Sequence, residues 1–177
     1  AESAAGDYPE EAVSCMGRIA LTIEKEPSYK RMLSEDSTLP EATTADAISA
    51  AAKQVASTIN AHAIVTYTGS GSTAFRASRE RPETPLLVLS PNISTVRRLA
   101  LVWGLNCVHS QHAVDFLDMI VKACGVCYEW GYANLNELII IMAGLPVGSP
   151  GKTNDLRLSL VSDHHLYNMS LIHIILS

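Results

Sequence analysis

The chain has 177 residues, of which 47% are hydrophobic and 18% are charged, and this composition suits one globular domain with its own core. The formal net charge of -5 argues against binding to nucleic acid or to an anionic membrane along the whole sequence. The first residues have neither a basic start nor an apolar core, and the four cysteines lack the spacing of a secreted disulfide scaffold. We therefore expect a cytoplasmic protein.

Two helices are predicted in the first third of the chain. Residues 9–26 begin with a proline and two glutamates, which suit a first helical turn, and carry one apolar stripe at helical spacing. Residues 28–40 are polar and bounded by prolines, and are predicted to form a surface loop. Residues 45–60, with Thr43 or Thr44 as the N-cap, are rich in alanine, which favours close packing against a helix or a sheet.

From residue 61 onwards, short apolar runs alternate with helical segments. The predicted strands are residues 63–67, 85–89, 105–108, 138–143 and 156–161, and the helices between them are 72–79, 93–103 and 113–131. This alternation predicts an α/β fold of three layers, with a mostly parallel five-stranded sheet flanked by helices. The last strand is a candidate for the antiparallel direction. If the first and fourth strands are parallel, the loops 68–73 and 144–154 open at the same edge of the sheet.

The loop that follows the first predicted strand is the best candidate for a binding site. It reads Thr-Gly-Ser-Gly-Ser-Thr and leads directly into a helix, so backbone N–H groups and the positive end of the helix dipole are available to an anion. Helical side chains lean towards the N-terminus, which would bring the next arginine close to that anion. The candidate residues for binding a phosphate are Thr68, Gly69, Ser70, Gly71, Ser72, Thr73 and Arg76.

An ordinary turn between a strand and a helix would explain the same residues without any ligand. The loop is not a Walker motif, because no lysine follows its last glycine, and it lacks the third glycine of a dinucleotide fingerprint. Residues 68–98 contain five arginines, Arg76, Arg79, Arg81, Arg97 and Arg98, against two glutamates. This local positive charge tips the balance modestly towards a phosphate site.

Other chemistry-bearing residues show no pattern of a site. Cys124 and Cys127 form a single C-x-x-C pair inside an apolar helical segment, which favours buried, inert thiols over a zinc or redox site. The six histidines are interpreted as structural or solvated. No pair of carboxylates, Ser-His-Asp set or metal-ligand cluster is evident, so we expect no catalytic or metal-binding residues.

Several motifs, occurring in the same order, resemble the C-terminal domain of pyruvate kinases of the bacterial type. They are the segment 1–13 (AESAAGDYPEEAV), the loop 68–74 (TGSGSTA), Arg81-Pro82 with the turn Ser90-Pro91-Asn92, the segment 97–105 (RRLALVWGL) and the loop 144–154 (GLPVGSPGKTN). The resemblance implies an α/β domain over residues 1–161, whose first 13 residues close a catalytic barrel and lead into the domain. The tail 162–177 is atypical of the family.

The resemblance implies a part of the glycolytic enzyme that transfers a phosphoryl group from phosphoenolpyruvate to ADP, with magnesium and potassium. The catalytic groups of that family lie in a barrel and a lid upstream, so we expect this chain alone to be inactive. The resemblance also implies an allosteric effector, a phosphorylated sugar or a nucleotide monophosphate, bound at the loop 68–73, with Gly151 and Lys152 closing from the opposite side. In the family this domain contributes a tetramer interface.

The chain departs from some members of the family within the predicted phosphate loop. Some members that respond to fructose 1,6-bisphosphate carry a lysine where this chain has Gly69, which weighs against that effector.

A second hypothesis assigns the domain only to subunit association, through the helix 45–60 and the last strand, with the phosphate loop vacant. A third, a stand-alone enzyme, lacks an evident acid–base pair. If the loop holds a phosphate, Gly71→Val is expected to abolish binding and to leave the fold intact.

Overall fold

Helices make up the first of the two units into which the chain divides, Ala1–Ser37 and Thr38–Ser177. The computed structural model describes residues 2–35, 40–147 and 152–166. The helices of the first unit are α1 (Glu2–Ala5), α2 (Pro9–Glu24) and α3 (Pro27–Glu35). Helix α2 confirms the first predicted helix, and its apolar stripe is exposed, with Met16 64% accessible.

The prediction of a loop over residues 28–40 was wrong for its first part, because α3 occupies Pro27–Glu35. Pro27 takes the first helical position, where its missing N–H is not needed and its fixed φ suits the helix. The N–H of Tyr29 donates to the carbonyl of Glu26 over 3.0 Å, which closes the turn between α2 and α3. The sequence interpretation had taken this proline only as a boundary of the predicted loop.

The second unit confirms the predicted α/β fold. Its elements are α4 (Thr44–Ile59), β1 (Ala63–Tyr67), α5 (Ser72–Arg79), β2 (Leu86–Ser90), α6 (Ile93–Leu99), β3 (Leu105–His109), α7 (Phe116–Glu129), β4 (Leu138–Ala143) and β5 (Asp155–Leu160). The sheet has the strand order β3-β2-β1-β4-β5. Strands β1 to β4 are parallel, whereas β5 runs antiparallel beside β4.

Both faces of the sheet are covered, which gives the three predicted layers. Alternate strand residues face α7 on one side, and a cluster there joins Val65, Leu87 and Ile141 to Ile120 and the cysteine pair. The residues between them face α4 and α5, where Ile64, Leu86 and Ile140 meet Ala52, Ala56 and Ala77. The three central strands β1, β2 and β4 are therefore apolar along most of their length, as is typical of strands buried on both faces.

Local capping explains where α4 begins and ends. The Thr43 side chain accepts a hydrogen bond from the Asp46 N–H over 3.2 Å, which satisfies one of the orphan donors of the first turn. Asn60 then ends the helix in the left-handed conformation. The small side chains of Ala52 and Ala56 are buried and let α4 approach the sheet closely. The predicted close packing of this alanine-rich helix is thus confirmed.

The two cysteines of the C-x-x-C pair lie on the buried face of α7. Neither side chain is accessible, and both belong to the core between α7 and the sheet. Burial raises the pKa of the Cys127 thiol to about 12, with Cys124 adding to the shift, and burial also raises the pKa of Cys124. Both thiols are therefore protonated near neutral pH, and a protonated thiol is a poor nucleophile and a poor metal ligand.

No helix within residues 2–35, 40–147 and 152–166 has the length and apolar character needed to cross a membrane. Residues 163–166 form a helical turn, and the rest of the tail 162–177 that was interpreted as atypical lies outside the described residues.

Candidate functional site

A cavity of about 410 Å³ opens at the carboxyl edge of the sheet, where the loops after β1, β2 and β4 meet. Open α/β sheets commonly bind ligands at this edge. The polar residues of its lining are Thr68, Gly69, Ser70, Ser72, Thr73, Asn92, His112 and Lys152, and the others are Tyr67, Pro91, Ala113, Met119, Gly144 and Val147. The structure thus brings the loops 68–73 and 144–154 together, as their positions after parallel strands predicted.

The loop between β1 and α5 is held by its own hydroxyl groups. Thr68 Oγ1 accepts a hydrogen bond from the Gly71 N–H over 2.9 Å, and Ser70 Oγ accepts one from the Ser72 N–H over 3.4 Å. Gly71 lies in the left-handed region with φ 94°, a conformation that glycine adopts at little cost. The alternation of hydroxyl residues and glycines therefore produces a tight turn that ends at the start of a helix.

Helix α5 begins without a side-chain cap. Its N-cap residue is Gly71, which has no side chain that could accept from the first N–H groups. Within the described part of the chain, the N–H groups of Ser70, Thr73 and Ala74 have no hydrogen-bond acceptor. Unpaired N–H groups at a helix N-terminus carry partial positive charge and favour an anion. This end of the cavity therefore suits the oxygens of a phosphate.

Lys152 also lines the cavity and supplies a full positive charge. The residue after it, Thr153, is buried, and its hydroxyl oxygen lies 2.7 Å from that of Thr73 in the first turn of α5. Asn154 exchanges two hydrogen bonds, of 2.7 and 2.8 Å, with the backbone of Leu145. These contacts anchor the base of the loop beside the N-terminus of α5 and leave the exposed lysine side chain facing the cavity.

The remaining wall of the cavity comes from segments that the sequence interpretation did not select. Burial raises the pKa of the Tyr67 phenol, which stays protonated and donates to the Gln111 carbonyl. This bond holds the segment after β3, so that His112 lies on the cavity. Asn92 follows the end of β2 and was quoted only as part of a family motif. Its place after a parallel strand was the signal that could have identified it.

Gly71, Gly151 and Arg76 were also predicted to belong to the site. Gly71 shapes the loop but does not line the cavity. Gly151 lies outside the described residues. Arg76 is not brought to the cavity: its Nε donates to Asp46 Oδ1 over 2.9 Å. Arg76 lies on the helix that the sequence predicted. Its guanidinium group, however, pairs with Asp46 of α4, which lies 30 residues earlier in the chain.

Three of the remaining arginines have partners of their own and do not line the cavity themselves. Arg79 pairs with Asp46 as well, Arg81 stacks over the Trp103 ring at 4.3 Å from the ring centroid, and Arg98 donates to the carbonyl of Ser70. Four of the five arginines in residues 68–98 therefore stabilise the structure around the loop. Of the described residues on the cavity, Lys152 alone carries a permanent positive charge.

Comparison with known proteins gives the family of the chain. The family model described as "Pyruvate kinase, alpha/beta domain" matches residues 46–159, which is more than half of the chain and includes the whole parallel part of the sheet. The chain belongs to the pyruvate kinase family. This match confirms the resemblance on which the sequence interpretation relied.

Individual pyruvate kinases resemble the chain over almost its whole length. A protein of Methylorubrum extorquens named pyruvate kinase is 39% identical over 165 residues, which is 93% of this chain and 34% of that protein. The pyruvate kinases of Staphylococcus haemolyticus and Staphylococcus aureus are 40% and 37% identical over 162 residues, 92% of this chain and 28% of each protein. The chain therefore spans about a third or less of the length of these curated relatives.

In this pyruvate kinase domain, the side chain of Asp46 on α4 links this helix to α5, the helix that follows the loop 68–73. Its side chain is 1% accessible and accepts from Arg79, from Arg76 and from the Glu41 N–H. The hydrogen bond from Arg79, followed by the one from Glu41, lowers the pKa of the Asp46 carboxyl. A carboxyl group with a lowered pKa in the folded state stabilises the fold only while it is ionised.

We expect Asp46→Asn to lower the melting temperature by several degrees at pH 7, because two arginines lose their charged partner. The deficit should shrink as the pH falls below about 4, where the carboxylate of the wild type is itself protonated, first in the unfolded chain and then in the folded one. Thermal unfolding followed by circular dichroism between pH 2 and 7 measures both effects. Asp7→Asn, at an exposed position, is the matched control and should follow the wild type at every pH. A deficit that is the same at pH 3 and pH 7 would contradict the ionic role.

Proposed function

We propose that this segment is the regulatory domain of a pyruvate kinase and that it binds the phosphate group of a small effector in the cavity at the carboxyl edge of the sheet. The observation that carries the proposal is the set of unpaired N–H groups at Ser70, Thr73 and Ala74, together with Lys152, which lines the same cavity as the loop. The dipole of α5 adds to the same field. A cavity of about 410 Å³ has room for a phosphorylated sugar or a nucleoside monophosphate.

The complete protein would carry out the reaction from which the family is named, the transfer of a phosphoryl group from phosphoenolpyruvate to ADP in the cytoplasm. Among the described residues, no group of three His, Cys, Asp or Glu side chains could hold a metal ion. These residues therefore do not fit a carboxylate-held magnesium site. We expect the segment to contribute regulation rather than chemistry, and to be inactive alone.

Effector binding regulates an enzyme only where the effector binds one quaternary arrangement more tightly than another. The domain could therefore bind its ligand as an isolated segment without regulating anything. This separates two questions that can be answered in turn: whether the cavity takes a phosphorylated ligand, and whether that ligand alters the activity of the complete enzyme.

The first question is tested by thermal shift with fructose 1,6-bisphosphate, ribose 5-phosphate, glucose 6-phosphate, AMP and inorganic phosphate. A ligand at about 100 times its dissociation constant adds about 2.7 kcal/mol to the free energy of unfolding, which is a readily measured change. We expect a shift with one sugar phosphate or with AMP that exceeds the shift with inorganic phosphate. No shift with any of the five compounds would contradict an effector site in this segment.

Lys152→Met should weaken the binding of the ligand found in that panel by about tenfold to a hundredfold, because a hydrogen bond to a charged group contributes about 1.5–3 kcal/mol. Isothermal titration calorimetry measures the dissociation constant directly. Lys25→Met removes an equally exposed ammonium group in the first unit and should leave the affinity unchanged. Equal affinity in the Lys152 variant and the wild type would remove the lysine from the site.

Subunit association is the second candidate function, and β5 is the observation that favours it. This strand lies at the edge of the sheet, so one row of its backbone groups is open to another chain. Leu158 and Leu160 are 45% and 50% accessible and add apolar surface. Helix α4, which was also predicted at the contact, buries Ala52 and Ala56 against the sheet and keeps Ala47 and Ala51 exposed. A concentration-dependent dimer that Leu158→Glu disperses, with no response to any phosphorylated compound, would support association as the sole function.

A further inference from the structure

Helix α6 lies beside the loop 68–73 and donates two hydrogen bonds to one of its carbonyl groups. Asn92 Nδ2 and Thr95 Oγ1 both lie 2.9 Å from the carbonyl oxygen of Gly69. Thr95 is buried, and it does not line the cavity. A backbone carbonyl that is held by two donors on one side has a fixed direction, and so does the peptide plane to which it belongs.

The direction of this carbonyl determines the direction of the next N–H group. The peptide between Gly69 and Ser70 is trans and planar, so its C=O and its N–H point to opposite sides. With the carbonyl turned towards α6, the N–H of Ser70 points away from α6. Ser70 lines the cavity, and its N–H has no acceptor within the described residues.

The two N–H groups that follow it in the loop are occupied, whereas the Ser70 N–H is a free donor among the described residues. The Gly71 N–H donates to Thr68 Oγ1, and the Ser72 N–H donates to Ser70 Oγ. The Ser70 carbonyl accepts from Arg98, so α6 restrains two successive peptide planes. A donor whose direction is set before the ligand arrives binds an anion without the cost of ordering it.

We propose that Thr95, together with Asn92, is a positioning residue for anion binding, which aims the Ser70 N–H at the phosphate by holding the Gly69 carbonyl. Thr95 acts through the peptide plane and touches no ligand. The inference rests on the proposed function, because it names the part of α6 that makes the loop a phosphate site. Loss of the Thr95 hydroxyl leaves the carbonyl with one donor and loosens the plane.

The test is a titration of the chain with inorganic phosphate, followed by 1H–15N correlation spectra. In the wild type we expect the Ser70 amide proton to move downfield as it donates to the anion. Thr95→Val removes the hydroxyl at nearly constant volume and should raise the dissociation constant about fivefold to tenfold, the equivalent of one lost hydrogen bond. Thr95→Ser keeps the hydroxyl and should retain the wild-type affinity, which a role in packing alone does not predict.

Thr58→Val is the matched control, because the Thr58 hydroxyl also donates to a backbone carbonyl, that of Gln54 over 2.8 Å, on α4. It should bind phosphate as the wild type does. If Thr95→Val does not fold, Asn92→Ala removes the other donor at an exposed position and should give a similar loss of affinity. The spectra themselves report whether each variant is folded.

The outcomes separate the inference from the proposed function. Wild-type affinity in folded Thr95→Val, or in folded Asn92→Ala where the first does not fold, overturns the positioning role and leaves the phosphate site standing. A wild type that binds phosphate through the loop without any change at the Ser70 amide also overturns the positioning role alone. A wild type whose loop amides do not respond to phosphate at all overturns both.

Discussion

Replacing Leu99 by alanine is expected to lower the free energy of unfolding by about 2–5 kcal/mol. Leu99 is fully buried at the end of α6 and packs with Ala74 of α5 and Val88 of β2. These neighbours belong to three different elements, so they cannot close the space left by the missing methyl groups without moving a helix or a strand. Equilibrium unfolding in urea, followed by circular dichroism, measures the loss.

Leu101 provides the matched control for this substitution. It lies two residues further along the chain and is 91% accessible, so Leu101→Ala should change the free energy of unfolding by no more than about 0.5 kcal/mol. A similar loss at both positions would show that the leucine to alanine change acts on the unfolded state or on helix propensity rather than on packing. A negligible loss at Leu99 would show that the contact of α6 with α5 and β2 is not formed as described.

The strands show what a single sequence can establish. The predicted runs 63–67 and 138–143 coincide with β1 (Ala63–Tyr67) and β4 (Leu138–Ala143), because a strand buried on both faces is apolar along its length and ends where polar or turn residues begin. The edge strand β5 was placed one residue late, and its antiparallel direction was only a candidate. An edge strand has an alternating pattern that fits either direction, and its pairing partner lies elsewhere in the chain.

The candidate site could be predicted from the sequence only where its features are local. The residues of the loop 68–73 were identified because the turn, the glycines and the helix start are all local features. The role of Arg76 was not, because its partner Asp46 lies on α4 and nothing near the arginine in the sequence indicates that pairing. Counting arginines over residues 68–98 could not reveal that four of them are bound to Asp46, Trp103 or the loop backbone. His112 was passed over because it follows no motif.

Gly71→Val is expected to have two effects, a loss of ligand binding and a loss of about 2–5 kcal/mol in the free energy of unfolding. The sequence alone predicted the first effect with an intact fold. The structure adds the second, because Gly71 has φ 94°, a conformation that a β-branched residue adopts only under strain. A Cβ atom there would also lie 3.2 Å from a Leu99 methyl carbon and 3.4 Å from Arg98 Nη2.

Variants at Gly104 and Gly69 separate the backbone strain from the steric contact in the expected loss of stability. Gly104 has φ 68° with no atom within 4 Å of a Cβ position, so Gly104→Val should show the backbone strain alone, about 1–3 kcal/mol. At Gly69 a Cβ would meet only Asn92 Nδ2, at 3.8 Å, and Gly69→Ala should fold as the wild type does. Urea unfolding of the three variants gives the comparison. Equal losses at Gly71 and Gly104 would contradict the steric contribution.

The contact between Gly71 and Leu99 can be isolated by combining the two substitutions. Leu99→Ala removes the methyl groups that a valine at position 71 would meet, so the double variant should lose less stability than the sum of the two single variants, by about 0.5–3 kcal/mol. Phosphate binding should not recover in the double variant, because the strained backbone at Gly71 still displaces the loop N–H groups. Recovered binding together with recovered stability would mean that the loop tolerates a side chain at this position and that its geometry does not depend on glycine. The cycle therefore separates the packing of α6 beneath the loop from the backbone conformation that the anion requires.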